Sequence, residues 1–187
     1  MLYKKLLLDF DYNQLLNECQ SIIDKVGWHN NQISLQYSKE PSWSADVDIY
    51  GFTRLEHKCD KWNPDMEGSY IKKVIDKAGV PVASARLMLL RPISCYITHV
   101  DLYNRYQIPI QIEPLKSFFV FNEHNEVVTM HPGDYYWFNT REIHNFINGA
   151  YTDRITLIFN DARERPQLDN PHIKRLFKDF DKEVTWR

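Results

Sequence analysis

Between Val82 and Phe159 the chain is cut into eight short runs of strand-forming residues, and this punctuation constrains the fold more than any other feature. The runs are Val82 to Leu90, Ser94 to Thr98, Arg105 to Ile112, Ser117 to Asn122, Glu126 to Thr129, Tyr135 to Asn139, Asn145 to Ile147 and Arg154 to Phe159. All have strand length, and turn chemistry separates them: Arg91-Pro92, Glu123-His124-Asn125, His131-Pro132-Gly133-Asp134 and Asn148-Gly149. So many short strands at such spacing close into a barrel or a sandwich.

Helical patterns precede them. After an expected first strand at Tyr3 to Leu8, Leu15, Leu16, Cys19, Ile22, Ile23 and Val26 recur at helical spacing, with Asp11 and Gln14 as a capping box and Gly27 as a stop. A second helix is expected over Ser69 to Ala78, with Ile71, Val74, Ile75 and Ala78 on one face and Gly79 and Pro81 beyond its end. Both apolar faces need a sheet to pack on, so the fold class is α+β, a β core backed by N-terminal helices. Ser38 to Glu67 reads as irregular with one or two short strands, and shows only a brief alternation at Asp46 to Tyr50. A short closing helix is expected after Asn170 and Pro171, with Ile173, Leu176, Phe177 and Phe180 on one side.

A length of 187 residues suits one domain, divided into a support region (1–80), a β core (81–160) and a tail (161–187). With 23 Lys plus Arg against 25 Asp plus Glu, the net charge of -2 gives nucleic-acid binding no support. Cys19, Cys59 and Cys95 are widely spaced and include no CxxC pair, which argues against a disulfide framework or a thiolate zinc site and for a reducing compartment. The first apolar run is too short for a secretory segment, and no run of about 18 apolar residues occurs, so a soluble cytoplasmic protein is expected.

Five of the seven histidines, His29, His57, His124, His131 and His172, fall in polar or turn surroundings and read as solvated residues. His99 is different, because Asp101 follows at i+2, where an extended chain points both side chains to one face. His144 opens a later strand that pairing can return beside them. Two imidazoles and one carboxylate form the facial triad of non-haem Fe(II) oxygenases, although zinc hydrolases use His-rich triads too. Arg154 adds a guanidinium inside an apolar strand, where it is costly to bury unless a carboxylate meets it. That carboxylate is either an internal acid such as Asp134 or Glu142, or one carried by a cosubstrate, with Thr156 on the same strand face offering a hydroxyl.

Five elements in order resemble a known family: His99-Val100-Asp101; Arg105-Tyr106-Gln107-Ile108-Pro109-Ile110; Met130 to Thr140; His144 with Asn148; and Asp153-Arg154-Ile155-Thr156. The family is the Fe(II)- and 2-oxoglutarate-dependent dioxygenases, in the branch of aspartyl/asparaginyl β-hydroxylases and free-proline hydroxylases. The resemblance spans roughly residues 83–160. It implies a double-stranded β-helix of the jelly-roll, cupin-like kind, with Fe(II) held by His99, Asp101 and His144. It also implies that Arg154, helped by Thr156, binds the distal carboxylate of 2-oxoglutarate, that Arg105 holds the cosubstrate's other end, and that dioxygen is consumed. Gln107 stands where many relatives have His, and Asp101 is present where peptidyl aspartyl hydroxylases can lack it. The implied substrate is an amino acid, free or peptidyl. The rival reading is a cupin-like isomerase, hydrolase or small-anion binder without oxygen chemistry, although cupins usually carry His-x-His, which is missing here. A barrel serving only as an interaction module has no need of this residue set.

Overall fold

The computed structural model describes residues 1–38, 40–44, 59–167, 169–171 and 174. Along the chain these form β1 (Tyr3–Leu6), α1 (Tyr12–Val26), β2 (Gln32–Ser34), β3 (Gln36–Tyr37), β4 (Lys61–Trp62), α2 (Tyr70–Asp76), β5 (Val82–Leu90) and β6 (Ser94–Cys95). Then follow β7 (Arg105–Gln111), β8 (Ser117–Phe121), β9 (Glu126–Thr129), β10 (Tyr135–Phe138), β11 (His144–Asn148) and β12 (Arg154–Asp161). Every expected run after Val82 contains a strand; the second shrinks to Ser94–Cys95, and the last extends to Asp161. The Asp46–Tyr50 alternation, His57, His172 and the apolar side of the closing helix lie outside the described residues. Within them, Lys174 N–H donates to the Asn170 carbonyl, as a first helical turn requires. No helix among the described residues is long and apolar enough to cross a membrane.

The strands form a six-stranded antiparallel sheet, ordered β1-β10-β7-β12-β5-β2, a four-stranded sheet, β6-β11-β8-β9, and the small pair β3-β4. Strand β2 was not expected, since three residues are too few to show a period; it extends the large sheet by pairing with Arg86–Met88 of β5.

The large sheet is covered on both faces, and strand alternation divides the labour. In β12, Ile155, Leu157 and Phe159 join Leu87 and Leu89 of β5, Ile108 and Ile110 of β7, and the helix residues Leu15, Cys19, Ile71, Val74 and Ile75 in one buried cluster. A second cluster fills the space between the sheets, where Phe119 and Phe121 of β8 meet Tyr136 and Phe138 of β10, with Phe119 and Phe138 stacked at 4.2 Å. The residues left over by the first cluster, Arg154, Thr156, Ile158 and Asn160, face that same interior, and seven of the eight β12 residues are buried.

The helices cap one another. Asp11 accepts from Gln14 N–H as expected, but the return half of the capping box is supplied by the Tyr70 hydroxyl, 2.7 Å from Asp11 N. Glu18 of α1 in turn accepts from the Tyr70 and Ile71 N–H groups of α2, which a helix N-terminus otherwise leaves unpaired. Gly133, at φ +77°, lets the turn before β10 pass under the Tyr12 ring, which a Cβ would approach to 3.0 Å. The Tyr12 hydroxyl donates to the Ile110 carbonyl at 2.7 Å, fixing α1 over β7.

Candidate metal and anion site

The interior face of the large sheet opens into a small cleft of about 110 Å³. Arg86, Met88 and Leu90 line it from β5, Arg105 and Gln107 from β7, Phe146 from β11, and Arg154, Thr156 and Ile158 from β12. Tyr96, His99 and Asp101 come from the connection between β6 and β7. All six residues singled out from the sequence, His99, Asp101, His144, Arg105, Arg154 and Thr156, therefore lie in or at one cleft.

His99 and His144 are brought together by an isolated antiparallel bridge in which each backbone N–H donates to the other's carbonyl at 2.9 Å. Their rings lie 4.4 Å apart, and one ligand-type atom from each of His99, Asp101 and His144 falls within 4.8 Å of the others. His99 Nδ1 is 2.7 Å from the Ile97 carbonyl, and His144 Nδ1 is 2.9 Å from that of Glu142. A carbonyl only accepts, so both Nδ1 atoms carry a proton and Nε2 is the ring atom left free to face a metal. His144 is fully buried, and its Nε2 has no hydrogen-bond partner among the described residues. Burial lowers the pKa of this imidazole to about 4, against the pull of Asp101, so it is neutral at physiological pH. Burial opposes ionisation of Asp101, yet the charge and hydrogen bonds of Arg105, with His144 and His99 beside it, hold the carboxyl well below its usual range. Two imidazoles and an ionised carboxylate, oriented from behind and converging on one point, are a fitting donor set for a divalent transition metal.

Arg154 is 2% exposed. Its Nε and one terminal nitrogen have no hydrogen-bond partner among the described residues, the other terminal nitrogen reaches the Phe118 carbonyl only at 3.5 Å, and the guanidinium lies 4.5 Å from the centre of the Phe146 ring. Burial pushes its pKa down to about 9, with Tyr96 opposing, so it stays charged at neutral pH. Neither internal acid considered from the sequence meets it: Asp134 binds Lys5 and the Tyr136 hydroxyl, and Glu142 pairs with His124. Among the described residues the cation lacks a counter-ion, inside a cleft that has room for one.

Arg105 is engaged by Asp101 and by Asn160. Gln107 is 1% exposed, with a side-chain oxygen unpartnered among the described residues, while Asn148 is structural, donating to the Leu90, Arg91 and Thr152 carbonyls and so fixing the turn into β12. Arg86, Tyr96 and Asn160 were not singled out from the sequence; only the inward parity of Asn160 with Arg154 in an otherwise apolar strand pointed to it. Of the histidines set aside, His29, His124 and His131 are exposed.

Neither a protein-family model nor a curated protein matches the chain. Solved structures do match in fold. NgTET1 in complex with 5mC DNA is 14% identical with a TM-score of 0.51, over 95% of this chain and 79% of that one. The strand order of the two facing antiparallel sheets is that of a jelly roll. The viral collagen prolyl hydroxylase vCPH from Paramecium Bursaria Chlorella virus-1, in its 2OG complex, is 10% identical with a TM-score of 0.49, over 86% of this chain and 95% of that one. A cupin domain from Bordetella pertussis Tohama I is 16% identical with a TM-score of 0.37, over 42% and 79%. At these identities the likeness is one of fold.

Proposed function

We propose that the protein is an Fe(II)- and 2-oxoglutarate-dependent oxygenase that hydroxylates an unactivated C–H bond of an amino acid, free or peptidyl. The observation that carries this reading is the buried guanidinium of Arg154, without a counter-ion among the described residues and sharing a cleft with His99, Asp101 and His144. A metal triad alone suits hydrolases and isomerases as well; an anion receptor inside the same cleft suits a metal-bound dicarboxylate. The jelly-roll fold agrees with the reading, as do the family motifs quoted above.

In this reading His99, Asp101 and His144 hold ferrous iron, which with 2-oxoglutarate and dioxygen supplies the oxidising chemistry that amino-acid side chains lack. The protein's share is placement. The carbonyls of Ile97 and Glu142 keep both imidazoles in the tautomer that presents Nε2. Arg154 receives the distal carboxylate through its paired donors, and Thr156 adds a hydroxyl from the same strand face. Phe146 and Tyr96 flank that end and exclude water, so charge pairing there is stronger than at a surface.

The test is anaerobic addition of Fe(II) and then 2-oxoglutarate. A visible charge-transfer band, produced by chelation of the keto acid, is the expected result. Its absence in folded, metal-loaded protein would overturn the oxygenase reading in favour of a cupin-like metal protein.

A further inference from the structure

We propose that Arg105, itself held by Asn160, positions Asp101 as a ligand to the metal through one oxygen, and does not bind the cosubstrate. This rests on the metal reading of the site. Arg105 Nε donates to Asp101 Oδ2 at 2.9 Å, and a terminal nitrogen donates to Oδ1 at 3.2 Å, so the guanidinium lies along the edge of the carboxylate. The other terminal nitrogen donates to Asn160 Oδ1 at 2.6 Å. Asn160 is 5% exposed and belongs to the buried strand β12. The chain of contacts from β12 through Arg105 thus fixes a carboxylate that the β6–β7 connection alone would leave free to turn.

The orientation that results has a chemical consequence. Oδ2 is the oxygen that approaches His144, 3.9 Å from its Nε2. Each carboxylate oxygen offers about two acceptor sites, and the fork occupies one on each. Oδ2 keeps a second site toward the imidazoles, whereas a carboxylate gripped along its edge cannot turn both oxygens to one cation. Single-oxygen ligation leaves an extra coordination position for an incoming chelator. A lysine ammonium cannot substitute, because it lacks the planar fork.

The experiment is Co(II) titration of the metal-free protein, read by its visible absorption, in wild type, Arg105→Gln, Arg105→Lys and Asn160→Ala. Loss of a side chain that orients a ligand typically weakens metal affinity about 10–100-fold. Arg105→Gln is expected to fall in that range and to change the Co(II) band, with no rescue by Arg105→Lys. Asn160→Ala keeps the fork and should move affinity and band the same way by a smaller factor; it carries the test if Arg105→Gln fails to fold. Wild-type affinity and an unchanged band in folded variants, combined with weakened 2-oxoglutarate binding, would overturn the proposal and return Arg105 to the cosubstrate. Failure of the wild type itself to bind Co(II) would instead overturn the metal reading and this inference with it.

Discussion

Replacing Arg154 with methionine should stabilise the empty protein while abolishing its response to 2-oxoglutarate. Most mutations of a buried side chain do the reverse. An uncompensated buried charge costs several kcal/mol, and an apolar residue of similar volume recovers much of it. Against that gain stand the long contact to the Phe118 carbonyl and the Phe146 ring contact, together worth about 1–2 kcal/mol. A net gain of about 2 kcal/mol is expected, and for a chain of this size that raises the melting temperature by roughly 4–8 °C. The ligand response runs the other way. At 100 times its dissociation constant a ligand adds about 2.7 kcal/mol to the folded state, hence roughly 5–11 °C for Mn(II)-loaded wild type with 2-oxoglutarate. The variant should show no such shift. Thermal melts monitored by circular dichroism, on chelator-treated and on Mn(II)-loaded protein, give both numbers. A lower melting temperature in chelator-treated Arg154→Met would mean that the guanidinium is already paired, and a retained 2-oxoglutarate shift would mean that the anion binds elsewhere.

Two further outcomes follow from groups outside the cleft. Asn148→Ala removes donors from three carbonyls at once, so the urea midpoint should drop by the equivalent of about 2–3 kcal/mol, and a change below about 0.5 kcal/mol would show that water replaces them. Cys19 and Cys59 are buried and burial raises the Cys19 thiol, while Cys95 is exposed; a thiol reagent should label one cysteine in the native protein and three after denaturation, and fast labelling of more than one would contradict the packing around α1.

The β core is legible because two independent signals agree, strand-length runs of strand-forming residues and turn residues at the breaks. The helices were legible for the same reason, with their caps. What the local patterns missed came from distant partners. The Asp11 capping box looked closed by Gln14, but its return bond comes from Tyr70, 59 residues away. Nothing near Arg105 in sequence announces its bond to Asn160, 55 residues on. Arg86 reads as an ordinary polar position in a strand, since a strand shows which residues share a face but not what that face encloses. Arg154 was readable because burying a guanidinium is costly anywhere, so its presence in an apolar run already asked for an anion.

Strand β12 carries an evolutionary consequence. Its odd residues, Ile155, Leu157 and Phe159, belong to the helix-backed core and its even residues to the cleft, so inserting or deleting one residue would push Arg154 into oil and Ile155 into the anion site. The strand is therefore a fixed ruler, and length variation among descendants of this chain must be confined to segments that pair with nothing. The rim of the cleft is then free to change, while the distance from Arg154 to the histidine pair is inherited unchanged.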